Sequence, residues 1–158
     1  MPKQIAIFLT MTIAAWYATL AIHETGHCIA TWLSGGSIDR VEIPLVGFSQ
    51  THYRDKPQPL FTTWAGPATG ALFAFALFAI ASNLHNRTRQ IALFFAGFSL
   101  ILNGTYLGLG GFLRIGDCAE LLKHGASQWQ LITFGAIATP LGLYSWHRMG
   151  PVKGWFCT

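Results

Sequence analysis

A chain of 158 residues with 52% hydrophobic and 10% charged residues has room for one domain, and carries too little charge for a soluble one, where about 25% is usual. Its formal charge of +4 comes from basic residues scattered singly, with no stripe of Lys and Arg interleaved with aromatics, which argues against a nucleic-acid partner. Cys28, Cys118 and Cys157 make an odd count without a C-x-x-C pair, so neither a disulfide framework nor a zinc ribbon is indicated. The composition is that of a membrane protein.

The first apolar segment runs from about residue 4 to 33 and ends at Ser34-Gly35-Gly36. It exceeds the roughly 20 helical residues that cross a hydrocarbon core. Lys3 ahead of an apolar run with small residues resembles a signal peptide, but cleavage there would strip the first turns from the helix, so a retained span is expected. Near its end stands His23-Glu24-Thr25-Gly26-His27, an HExxH motif. On a helix His23 and His27 are one turn apart on one face, so two imidazole nitrogens can meet one tetrahedral Zn2+. Glu24 then lies beside the metal, placed to take a proton from an activated water and pass it to a leaving amine. HExxH alone also occurs on ordinary polar helix faces. Flanked by Ile5 to Ile22 and Cys28 to Leu33, these groups have no solvated face, and ionisable groups at such depth mark a site.

Next, Val41, Ile43 and Leu45 alternate with Arg40, Glu42 and Pro44, the period of a strand. Gly47 and Ser49-Gln50-Thr51 suggest a turn into a second strand through His52 and Tyr53. A β-hairpin over residues 38–54 is expected, with Pro44 arguing for a sheet edge. Such an edge could add an extended peptide as a strand, or the hairpin could simply be a connector on the membrane surface.

Three further spans are expected at about residues 60–82, 90–109 and 128–147, joined by short polar links such as His85 to Arg89. The expected fold is therefore a mainly α polytopic membrane bundle of about four spans plus a small hairpin, one domain over residues 1–158. In this topology the second half of the first span, the opening Trp64-Ala65-Gly66-Pro67 of the second and Gly116-Asp117 after the third all meet at one end of the bundle.

A catalytic zinc commonly has three protein ligands and one open position. Asp39, Glu42 and Asp55 belong to the hairpin, where solvation accounts for them. Asp117 and Glu120, where the chain re-enters a helical pattern, are the candidates for the third ligand. Asn103 in an apolar span could hydrogen-bond a substrate backbone, orient a ligand, or tie two helices together. His52, His85, His124 and His147 lie in loops or at span ends and are expected to be solvated.

With HExxH at 23–27, a hairpin, Ala65-Gly66-Pro67, Asn103 and Asp117 in this order, most of the chain resembles the site-2 protease family of intramembrane zinc metalloproteases. The resemblance implies one Zn2+ held by His23, His27 and Asp117, Glu24 as catalytic base, a membrane-protein substrate cut in or near a transmembrane segment, and a metal end facing the cytosol. The chain departs from the family pattern in three places. Asp117 is flanked by Gly116 and Cys118, Gly70 stands where an asparagine often follows Gly-Pro, and the interval from Asn103 to Asp117 is long. Charge alone does not orient the chain, since Lys3, Arg87, Arg89, Arg148 and Lys153 at one end balance Arg40, Arg54, Lys56, Arg114 and Lys123 at the other.

Two other function classes compete. A zinc-containing membrane regulatory or binding protein would keep the histidines without needing Glu24. A di-iron oxygenase would use Glu24-x-x-His27 as half of a carboxylate-histidine motif, but no second Glu-x-x-His occurs.

Overall fold

The computed structural model describes residues 2–150, with side chains from Gln4 onward. Lys153 and Cys157 lie outside the described residues, as does the side chain of Lys3. The chain runs α1 (Pro2–Leu33), β1 (Ser37–Glu42), β2 (Gln50–Asp55), α2 (Pro59–Ala81), α3 (Asn86–Leu113), α4 (Gly116–Lys123) and α5 (Gln128–Met149). It is mainly helical with one antiparallel hairpin.

Three helices, α1 from Gln4, α2 and α3, are long and apolar enough to cross a membrane. Large apolar side chains stay exposed along them, among them Ile5, Leu9, Ile13, Leu72, Phe73, Ile80 and Leu109. That is the pattern of a surface solvated by lipid, since water would drive such residues inward. The expected fourth span is a 22-residue helix, α5, but it is not among the helices that meet this composition test. Gln128, Gln130, Thr133, Thr139, Ser145, His147 and Arg148 dilute its apolar character.

Small residues set the packing of α5 on α3. A Cβ on Gly97 would strike Trp146, one on Gly104 would lie 2.6 Å from Thr139 Oγ1, and one on Gly108 would lie 3.2 Å from Gly135 Cα. The backbones therefore approach as closely as small-residue packing allows in lipid. Ser145 Oγ donates to Leu93 O (3.0 Å) and Trp146 Nε1 to Phe94 O (3.0 Å), tying the end of α5 to the start of α3. The other end of α5 is set by a capping box, in which Gln130 N donates to Ser127 Oγ (3.4 Å) and Ser127 N to Gln130 Oε1 (2.7 Å).

The hairpin strands pair from Ser37 opposite Asp55 to Glu42 opposite Gln50, with register shifts between Ser37 and Ile38 and between Ile38 and Arg40. Pro44 falls beyond the end of β1, so the alternation through Ile43 and Leu45 continues into a loop. This loop, residues 43–49, folds back over the bundle. Tyr17 Oη donates to Leu45 O (2.8 Å), and the Phe48 ring stacks on Tyr106 with centroids 5.6 Å apart.

Candidate metal centre

The ring nitrogens of His23 and His27 are fixed by their acceptors. His23 Nδ1 lies 2.9 Å from Asn103 Oδ1, and His27 Nδ1 lies 2.8 Å from the backbone oxygen of Thr62. Asn103 is oriented by its Nδ2, which donates to Ser99 O (2.9 Å), leaving Oδ1 for the imidazole. Both partners accept only, so each Nδ1 carries the proton and each neutral ring keeps its lone pair on Nε2.

Those two lone pairs converge on a carboxylate. Asp117 Oδ2 lies 2.8 Å from His23 Nε2 and 3.2 Å from His27 Nε2. Three acceptor atoms so close repel one another unless a cation or shared protons lie among them, so the donor set fits a divalent metal. The rings are nearly perpendicular, at 76°, which directs the nitrogens from different quarters toward one point. His23, Glu24 and His27 also place one ligand atom each within 4.8 Å of one another.

Local structure explains how these groups meet. Gly26, inside the motif, lets α1 approach α2, for a Cβ there would strike the Ala65 carbonyl and come within 2.6 Å of Thr69 Oγ1. Gly66 on α2 faces the imidazoles directly, and a Cβ there would collide with His27 and lie 2.7 Å from His23 Nε2. The chain leaves α3 through Arg114 at φ 52° and enters α4 through Gly116 at φ 48°. At Gly116 a side chain would be strained and would also run into the Tyr106 hydroxyl. This tight reversal brings Asp117 into the first turn of α4, its amide donating to Tyr106 Oη (2.9 Å). The glycine that departs from the family pattern is thus the residue that makes the turn.

Glu120, the competing candidate, lines the same cavity but pairs with Lys123 (3.2 Å) and His124 (3.2 Å). Cys118 points away into the core, toward Gly110, and burial pushes its thiol up to about 12.

Glu24 is 3% exposed and is met from the hairpin side. Ser49 Oγ donates to Oε1 (2.6 Å) and Thr51 Oγ1 to Oε2 (2.5 Å). Sequence reasoning gave these two hydroxyls no role, because they are far from the motif and nothing in their spacing ties them to it. Tyr106 and Lys56 were missed for the same reason. Lys56 Nζ donates to Thr63 Oγ1 (2.7 Å), sits over the Tyr53 ring, and is shifted down by burial. Of the histidines expected to be solvated, His52 is half-buried and lies 3.3 Å from Glu42. His23, Glu24, His27, Asn103, Tyr106 and Asp117 border a cavity of about 520 Å3, enough for water and a stretch of peptide.

The Peptidase M50B-like family profile matches residues 5–107. The chain belongs to that family. No curated protein and no solved structure matches it. The membership supports the site-2 protease resemblance, a membrane-embedded setting and protease chemistry in general. The matched region includes the motif, the hairpin, Gly66 and Asn103, and stops before Asp117.

Proposed function

We propose that this chain is an intramembrane zinc metalloendopeptidase that hydrolyses a peptide bond in or near a transmembrane segment of another membrane protein. The observation that carries this reading is the convergence of the two imidazole Nε2 lone pairs on Asp117 Oδ2, with both Nδ1 atoms held by acceptors. His23, His27 and Asp117 would hold one Zn2+. The bound ion supplies a Lewis acid that acidifies water and polarises a carbonyl.

Glu24 acts as general base and then general acid, moving a proton from the attacking water to the departing amine nitrogen. The hydroxyls of Ser49 and Thr51 each take one site on its carboxylate, and each oxygen retains a second lone pair for that proton. Asn103 and the Thr62 carbonyl fix the tautomer and tilt of the two imidazoles, the support on which metal affinity commonly depends. Asn103 is therefore assigned to ligand orientation in preference to substrate binding. The membrane-protein substrate reaches the centre at the hairpin end of the bundle, which the family resemblance puts on the cytosolic side.

One observation favours a second reading, a zinc-containing membrane regulatory or binding protein that does not cut. Both Glu24 oxygens are already engaged, as a purely structural carboxylate would be. Reconstitution with a panel of single-span substrates decides between them. Cleavage by the unaltered protein that Glu24→Gln abolishes, with zinc content unchanged, supports the protease. Zinc binding without cleavage of any substrate supports the regulator, and cleavage that survives Glu24→Gln removes the assigned base.

A further inference from the structure

We propose that the end of the bundle remote from the metal centre binds the phosphate of an anionic phospholipid headgroup. A cavity of about 320 Å3 lies where α3 begins and α5 ends, lined by Arg87, Arg89 and Arg148 together with Asn86 and Gln90. Three arginines lining one cavity gather positive charge there and call for an anion. Among the described residues nothing supplies it. None of the three arginines is in an ion pair among the described residues. All six acidic residues, Glu24, Asp39, Glu42, Asp55, Asp117 and Glu120, belong to the metal end or the hairpin.

Two features of the cavity match it to a phosphate. Arg148 is held in place, with Nη1 donating to Tyr144 Oη (3.0 Å) and the guanidinium over the Tyr144 ring at 5.8 Å, while its remaining N–H groups have no partner among the described residues. The first turn of α3 has no side-chain cap from His85, so its leading amides add donors and the positive end of the helix dipole to the arginines. Because α3 is long and apolar enough to span the membrane, its first turn stands at headgroup depth, where phosphodiesters are the abundant anions. A basic pocket between helices at that depth attracts an anionic headgroup by charge in whichever leaflet it faces. This inference does not depend on the proposed protease activity.

The test is lipid retention. The full-length protein is reconstituted in vesicles of phosphatidylcholine containing phosphatidylglycerol, extracted, and its bound lipids are counted by native mass spectrometry. Retention of phosphatidylglycerol over phosphatidylcholine is expected, and the Arg87→Gln, Arg89→Gln double variant is expected to lose it by roughly fivefold per arginine. Arg87→Lys with Arg89→Lys keeps most of the charge effect, and its helical circular dichroism reports whether the variant folds. Arg54→Gln, which removes a like charge from the hairpin, is expected to leave retention unchanged. Equal loss in Arg54→Gln would mean diffuse attraction to net charge and would overturn the site. Displacement of the lipid by inorganic phosphate as readily as by added phosphatidylglycerol would also overturn the proposal, since the site would then be one for free phosphate. Equal retention of phosphatidylcholine would do so as well.

Discussion

Gly66→Ala perturbs the metal centre without touching a ligand. The new Cβ would lie 2.7 Å from His23 Nε2 and closer still to the His27 ring, whereas ordinary van der Waals contact begins at 3.4 Å. His23 must therefore retreat by about 0.7 Å and His27 by more, several times the roughly 0.2 Å that metal-ligand distances tolerate. Retreat is resisted on the far side, because the Nδ1 atoms are bonded to Asn103 and Thr62 O and His27 is 2% exposed. Overpacking of this kind costs about 1–3 kcal/mol. Charged to the metal-bound state, that is a loss in zinc affinity of roughly 5- to 150-fold. Competition against a chromophoric chelator measures it, with circular dichroism to confirm the helices. Gly108→Ala is the control, a tight glycine 3.2 Å from Gly135 Cα and not part of the cavity lining. If Gly66→Ala binds zinc as tightly as the unaltered protein, the imidazoles do not meet the metal through Nε2 and the proposed geometry fails.

Asp117→Asn is expected to lower zinc affinity by more than the roughly ten- to hundredfold that loss of a partner behind a ligand costs. Glu120→Gln, whose partners are Lys123 and His124, leaves it unchanged, and the same chelator titration separates the two. Thr51→Val removes the donor to Glu24 Oε2 at constant shape, a charged hydrogen bond worth about 1.5–3 kcal/mol. Amide hydrogen exchange across residues 43–51 should accelerate by at least about tenfold, and an unchanged rate would show that the hairpin is held by other contacts. Cys118, with its thiol pushed up to about 12, holds a thiolate fraction of only ~10⁻⁵ at neutral pH. Iodoacetamide mapped by mass spectrometry should leave it unmodified until the protein is unfolded.

Much of this molecule was legible from residue order. The HExxH spacing puts two imidazoles on one helical face by periodicity alone, and the apolar runs located α1, α2 and α3 because lipid admits long stretches only as helix. The hairpin was legible too, although its first strand stops at Glu42 and Pro44 falls in the loop. The fourth span was harder to judge. Residues 128–149 form a helix as expected, but glycine and hydroxyl residues that suit it to pack on α3 also make it less apolar than a lipid-crossing segment.

What the sequence determined by itself was the motif, the helices and the family, because these depend on spacing along a regular element. Which acid faces the imidazoles was a tertiary matter, decided by the reversal at Arg114 and Gly116 that turns Asp117 inward while Glu120 pairs along its own helix. The hydroxyls of Ser49 and Thr51 on Glu24, and the Thr62 carbonyl behind His27, were likewise visible only in the folded chain. Contacts between elements distant in sequence, or through the backbone that every residue shares, leave no periodic trace. They exist only once burial has brought the pieces together.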